Sequence, residues 1–417
     1  MIPPEQFLLL ISSTLFLCYV SGLIYTKTKI PDILWLLGFG TILGPILGIF
    51  EKEGFVQISP LMGVIAISII TFDSGIGLDF RVLQRTFLKS IALTLGTFFA
   101  MVIVVGVVIS FLAPGSFSLL EGMLLGTMVA GISTVAVTSL MDGLRKLFPN
   151  LESTRALLML ESTLCDPIRV VAAITLIRMI MLPGVSLRDS ARDIVFTFVM
   201  GSIIGLLISM LWAEVLDRLR GQPYTYMMTL AALFPTYLLA ENLAGDGAGT
   251  MAAFVFGLVL ANYRRVARGL SIDRSLRTDK KRLMEFNEEI IFLLKSYYFV
   301  YIGLIVTLSQ QYILMGLGIV ILLIAVRYGV ASAVGRVMGF TLEEKVISRI
   351  VYTLGTSTLV MSQLPLIFDP EMTFITNPGM YSDLCFPIVL GTVIFASVAS
   401  PIIAKRQLKE EGPIPYN

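Results

Sequence analysis

Apolar runs of about twenty residues, separated by short polar or glycine- and proline-bearing breaks, recur along nearly the whole 417-residue chain. A helix needs roughly that length to cross the hydrocarbon of a bilayer. The runs lack the alternating polarity of a membrane barrel, whose strands face lipid on one side only. They predict helices over 5–25, 31–50, 59–78, 88–113, 118–142, 151–182, 191–216, 223–243, 247–263, 285–307, 311–338, 346–367 and 382–403. The expected fold is an all-α polytopic membrane protein of about thirteen transmembrane helices. Residues 7–25 are too long an apolar run, and lack the basic start, for a cleavable signal peptide.

Composition agrees with that reading. Hydrophobic residues make up 56% and charged residues 14%, where a soluble domain carries about a quarter charged residues, and mean hydropathy is +0.86. Charge then orients the chain. Nearly all basic residues in loops and at span ends fall on one side, leaving Lys52, Arg178, Arg188 and Arg192 on the other. The positive-inside rule puts the N-terminus outside and the C-terminus in the cytoplasm. The longest polar segment, 264–282, reads as a basic cytoplasmic linker whose charge topology explains; contact with anionic lipid headgroups is the other reading.

Absences narrow the chemistry. There is no histidine, which removes the usual neutral-pH base and transition-metal ligand. Cys18, Cys165 and Cys385 each lie in an apolar span, with no disulfide framework and no metal spacing. A Ser-His or zinc mechanism is therefore excluded, no GxGD motif of an intramembrane aspartyl protease occurs, and neither an enzyme nor a nucleic-acid binder is expected. No cofactor is expected either.

Two spans carry small hydroxyl residues after a mid-span glycine: GTMVAGISTVAVTSL (126–140), with Gly131, Ser133 and Thr134, and YTLGTSTLVMSQLPL (352–366), with Gly355 to Thr358. Such clusters weaken helical continuity and free backbone carbonyls. Interrupted helices at corresponding places of two halves mark the binding site of many transporters. The two segments are seven spans apart, so they run in opposite directions, as an inverted repeat requires. Helix-packing faces rich in small residues are the alternative.

Between them lies MLESTLCDPIRVVAA (159–173), with Glu161, Asp166 and Arg169 inside an apolar span. A charge at that depth costs about 2.5–3.5 kcal/mol on insertion scales and marks a functional site by default. On a helix Ser162 and Asp166 share a face while Glu161 points elsewhere. Asp166 is expected to face a water-accessible cavity and to hold either a proton or a metal ion. Glu161 is expected to be a fixed charge paired with Arg327, in IAVRYGVASAVG of a later span, because buried intramembrane charges pair. Pro167 withholds a backbone donor beside the acid.

The pattern E-S-x-x-N-D-P, a G-I-S-T break on the preceding span and an arginine in the second half resemble the NhaP-type sodium/proton antiporters, monovalent cation/proton antiporters of the first family. TFDSGIGLDFRVL (71–83), TMAAFVFGLVLANYRR (250–265) and FNEEIIFLLKSYYFVYIGL (286–304) extend the resemblance over almost the whole chain. The resemblance implies that Asp166 is the ion- and proton-binding aspartate, that Glu161 pairs with Arg327, and that Ser162 and Thr134 with its carbonyls stand at the site; Ser133, by its hydroxyl or carbonyl, is a further expected cation ligand. It implies a homodimer in the cell membrane whose core moves in an elevator-like step, exchanging H⁺ for Na⁺, with K⁺ or Li⁺ as alternative cargo. Residues 1–113 would include the dimerisation scaffold and 114–182 the first core half. Residues 183–263 would return to scaffold, 264–284 form the basic linker, and 285–417 the second core half with the C-terminal helix.

Two positions depart from the family. Cys165 replaces its asparagine, and a thiol braces Asp166 more weakly. Arg169 follows Asp166 by one turn; a guanidinium there would oppose protonation, so it is expected to point away, toward Asp73 or Glu121. Asp73 itself reads as a packing or gate residue, or as part of a polar path. Lys295 reads as a donor to broken-helix carbonyls, with the lysine place of more distant electrogenic antiporters as the other reading. Glu241, Asp246, Asp369, Glu371 and Asp383 read as solvated loop residues near the outer mouth, with attraction of cations as the other reading. The expected cycle is one-for-one, electroneutral competition of H⁺ and cation for Asp166. A cation-coupled symporter or a sensor of the same architecture is the rival.

Overall fold

The structure is a computed structural model describing residues 4–28, 32–50, 55, 59–78, 80–134, 137, 138, 141, 144, 151–182, 187–219, 222, 227–269 and 280–411. Regular structure among these residues is helical throughout. The helices are α1 (Pro4–Thr28), α2 (Asp32–Thr41, prolonged by a π-turn over Ile42–Ile46), α3 (Ser59–Gly77), α4 (Phe80–Leu112), α5 (Leu119–Val129), α6 (Glu152–Met181), α7 (Leu187–Arg218) and α8 (Met227–Ala244). They continue as α9 (Ala248–Gly269), α10 (Lys280–Ile305), α11 (Gln310–Val337), α12 (Leu342–Ile350), α13 (Thr356–Met361), α14 (Leu364–Phe368) and α15 (Met380–Ile394), which passes through a π-turn into α16 (Ser400–Glu411).

The apolar runs and the helices coincide, with differences at the ends that have local causes. α4 starts before its apolar run, and α9 continues past residue 263 into the basic segment. At Asn262 the backbone leaves helical geometry (φ −119°, ψ 18°), and the side chain donates to the carbonyls of Leu78 and Leu258 at 2.8 and 2.9 Å. The helix thus kinks where the apolar run stops and carries its arginines beyond it. Residues 270–279, the middle of the expected linker, lie outside the described residues. Polar caps fix other ends: Ser118 and Glu121 form a capping box on α5, and Thr341 and Glu344 form one on α12.

Packing separates the helices into two groups. In one, α7 and α8 pack on α9, α9 on α3, and α1 and α2 on α10. Small residues let these backbones touch: a Cβ on Gly75 would lie 2.0 Å from the Phe254 carbonyl, and one on Gly257 2.4 Å from that of Phe72. In the other group, α4 packs on α5, α6 and α11, and α11 on α12 and α15. Helix α4 falls in residues 1–113, yet it packs with the second group rather than with α1–α3. The groups meet where α3 and α9 touch α6, and where α3 and α10 touch α13. Met62, Ile69, Leu294 and Tyr298 line an apolar crevice at the second of these contacts.

Among the described residues, four helical stretches are long and apolar enough by themselves to cross a membrane: Thr86–Leu112, Arg192–Arg218, Gln310–Val337 and Met380–Ala404.

Candidate functional site

Both hydroxyl-rich spans break where the glycines fall. α5 ends at Val129, residues 130–133 are not helical, and helix resumes at Thr134. α12 ends at Ile350, residues 351–355 are not helical, and α13 starts at Thr356. The interruptions cross: the Ser133 N–H donates to the Thr353 carbonyl at 2.7 Å, and the Tyr352 hydroxyl donates to the Val129 carbonyl. A Cβ on Gly355 would sit 2.9 Å from the Ser133 hydroxyl, so a larger residue there would crowd the two interrupted segments.

The long helix α6 reads the first break from one face. It stays helical through Pro167. Ser162, Cys165 and Arg169 recur at i, i+3 and i+7, a single stripe on a helix. Ser162 donates to the Ile132 carbonyl at 2.7 Å, the Cys165 thiol to Ala130 at 3.0 Å, and Arg169 Nη1 to Met128 at 3.3 Å. Three carbonyls at the interruption thereby find donors from α6. With the Ser162 hydrogen committed to Ile132, Thr134 donates to Ser162 at 2.7 Å. The structure thus joins Thr134, Ser162 and Cys165 to the first break, and Ser133 to the second through its backbone. Cys165 serves the Ala130 carbonyl.

Asp166 is one turn from Ser162 and only 7% exposed. Its Oδ2 accepts from the Ser74 hydroxyl of α3 at 3.2 Å, and its Oδ1 from Arg169 Nη2 at 3.1 Å. The Arg169 contact corrects the expectation that this arginine points toward Asp73 or Glu121. Two physical reasons account for it. Spacing of i, i+3 places the pair side by side, and the Glu121 carboxylate is occupied at the α5 cap, accepting from the Ser118 N–H at 2.7 Å. The Asp166 side chain keeps 10% exposure.

Glu161 faces the other way and meets Arg327 across helices. Both terminal guanidinium nitrogens engage the carboxylate, Nη2 at 2.8 Å from Oε2 and Nη1 on Oε1. Arg327 Nε donates to the Ser348 carbonyl at 2.7 Å and Nη1 also reaches the Thr97 hydroxyl at 3.3 Å. Neither Ser74, Thr97 nor Thr358, which accepts from Arg169 Nη1 at 3.4 Å, was singled out from sequence as a site residue. Ser74 stands next to Asp73 in 71–83 and Thr358 in the second hydroxyl cluster; a hydroxyl beside a buried charge was the available signal.

The remaining acids divide. Asp73 is half-buried on α3, beside Ser74. The side chain of Lys295 lies outside the described residues. Glu241 is a backbone cap and not a solvated loop residue, accepting from Gly247 and Gly249 N–H at 2.9 Å each. Asp369 likewise accepts from Thr373, Phe374 and Ile375, and Asp383 from the Thr307 N–H at 2.7 Å. Asp246 is exposed and pairs with Arg178 at 2.6 Å, and Glu371 is exposed.

Residues 12–409 match the family model described as sodium/hydrogen exchanger, transmembrane. The chain belongs to the sodium/hydrogen exchanger family. That family consists of transporters rather than enzymes, and its members are multi-pass membrane proteins. The exchanger fold is also the one seen in solved structures: the sodium proton antiporter MjNhaP1 from Methanocaldococcus jannaschii at pH 8 superposes with a TM-score of 0.81 at 19% identity, covering 97% of this chain and 99% of that one. An electron-microscopy structure of the same antiporter gives 0.73 at 21% identity, covering 99% and 100%. By sequence, Na(+)/H(+) antiporter 1 of M. jannaschii is 24% identical over 298 residues, 70% of this chain and 67% of that exchanger. The low-affinity Na(+)/H(+) antiporter NhaS1 of Synechocystis is 26% identical over 311 residues, 72% of this chain but 54% of its own length.

Proposed function

We propose that this chain exchanges protons for a monovalent cation, Na⁺, by letting the two compete for Asp166. The observation that carries the reading is the place of that carboxylate: beside the crossing of two interrupted helices, bridged by Ser74 to the other helix group. A carboxylate there can be neutralised by either ligand. Freed carbonyls of the first break and the hydroxyls of Thr134, Ser162 and Ser133 are the oxygen donors a dehydrated alkali ion needs. Each ligand crosses in its own direction as one positive charge, so a one-for-one cycle moves no net charge.

The same reading assigns the moving core to α4–α6 and α11–α15, and the stationary scaffold to α1–α3 and α7–α10, with the apolar crevice near Tyr298 along the boundary. It takes the protein to be a homodimer of the cell membrane with its N-terminus outside. The names of the archaeal and cyanobacterial relatives, both sodium/proton antiporters, support Na⁺ as the cargo. The test is Asp166→Asn in reconstituted vesicles holding a pH gradient. Wild type should dissipate the gradient on addition of sodium, and the variant should not; sodium-dependent dissipation by the variant would refute the assignment.

A further inference from the structure

Arg169 is the buried charge that this cycle leaves without a task. Its side chain is 2% exposed, and it sits in a shaped place: a Cβ on Gly131 would fall 2.1 Å from its Nη1, so only a glycine at the break leaves room for the guanidinium. Three oxygens receive it: one Asp166 carboxylate oxygen, the Met128 carbonyl at the end of α5, and the Thr358 hydroxyl on α13. A carboxylate, a freed carbonyl and a hydroxyl from the second interrupted span are the donor types expected of a sodium site in such a crossing. The guanidinium therefore draws on ligands of the same kind as the cargo.

The hold is loose. Its three contacts run from 3.1 to 3.4 Å, longer than a charge-assisted hydrogen bond of about 2.7–2.9 Å. Nε has no hydrogen-bond partner among the described residues. Only one oxygen of Asp166 is engaged by Arg169, in contrast to the two-nitrogen grip of Arg327 on Glu161.

We propose that Arg169 is a tethered counter-cation that occupies the cargo's place on Asp166 and must be displaced for Na⁺ to bind, setting a low apparent affinity for the ion. The inference rests on Asp166 being the exchange site. Its consequence for charge is definite. The ligand-free site is neutral, since carboxylate and guanidinium cancel, and the site carrying H⁺ or Na⁺ holds one net positive charge. Displacement does not strand the guanidinium, because the Met128 carbonyl remains within its reach. When the competent form of a site is a minor state, apparent affinity falls by its fractional population; about 10% occupancy lowers it about tenfold.

The test is the sodium dependence of exchange in vesicles, measured on the full chain for wild type, Arg169→Met, Arg169→Lys, Thr358→Val and Asp166→Asn. Arg169→Met should lower the KM for sodium about tenfold or more and increase the thermal stabilisation that sodium gives in detergent. Arg169→Lys, which retains the charge, should bring KM back toward wild type. Thr358→Val removes one hold on the guanidinium and should lower KM by a smaller factor; it decides the matter if Arg169→Met does not purify folded. A KM unchanged in both Arg169→Met and Thr358→Val, or equal in Arg169→Met and Arg169→Lys, overturns the proposal while leaving Asp166 as the site. If wild type, Arg169→Met and Asp166→Asn are all silent to sodium, the exchange reading falls and this one with it. An inactive wild type beside an active Arg169→Met would be the proposal's strongest form.

Discussion

Glu161 and Asp166 lie five residues apart on one helix, each carries an arginine, and the two pairs are built differently. Arg327 comes from another helix, grips both oxygens of Glu161 and spends its remaining donors on Ser348 and Thr97. Arg169 comes from the same helix, touches one oxygen of Asp166, and leaves Nε unsatisfied while Ser74 of α3 takes the other oxygen. The first pair is closed on itself and ties α6 to α11 inside one helix group. The second reaches across to α3, where the two groups meet. Burial is common to the two pairs; the count of satisfied arginine donors among the described residues separates them.

The largest effect expected from breaking this comparison is on the closed pair. Glu161→Ala strands Arg327 in the interior, and removing one partner of a buried pair costs about 3–5 kcal/mol. The outcome should be lost folded yield after detergent extraction, and an intact melting transition would contradict the closed-pair reading. Asp166→Asn should cost less, about 1–2 kcal/mol, since the amide oxygen still accepts from Arg169. Near-wild-type yield with no sodium response is the expected signature. Gly131→Ala comes next, forcing a methyl into the guanidinium's place; overpacking of this kind costs about 1–3 kcal/mol, read as a lower melting temperature. Arg169→Met in the same background should remove most of that loss if the clash is with Arg169.

The smallest effect lies away from both pairs. Glu344 stands just before the span that begins at 346, where burial works against its ionisation. Hydrogen bonds from Lys89 at 2.7 Å and Ser153 at 2.8 Å, with the Thr341 backbone, outweigh burial and hold its carboxyl below its ordinary value of 4.5. A depressed folded value means stability is present above pH 4.5 and lost as pH falls through the lower folded value. Lys89→Met should flatten that acid-side loss in a melting-temperature series across pH.

Much of this was legible in the chain. Twenty-residue apolar runs fix helices because an unpaired backbone is intolerable in lipid, and Gly131 and Gly355 mark the interruptions because no side chain protects the helix there. Glu161 with Arg327 followed from the rule that buried charges pair. What the chain hid was partner choice at short range. Arg169 was expected to avoid Asp166 on the argument that a proton site should not be held ionised. Helical spacing and the occupied Glu121 decided otherwise. Ser74 was hidden because its contact spans the two helix groups, and nothing local in TFDSGIG says which neighbour its hydroxyl meets. Glu241, Asp369 and Asp383 read as loop acids because the backbone N–H groups they accept from lie in turns that no periodicity announces.

The central claim is that one carboxylate serves proton and cation alternately, and competition has a kinetic signature. The measurement is the KM for sodium and the maximal rate of exchange in vesicles, stepped downward in pH. The account predicts that KM rises toward tenfold per pH unit on the acid side while the maximal rate at saturating sodium holds steady. A KM that stays flat while the maximal rate collapses would contradict it.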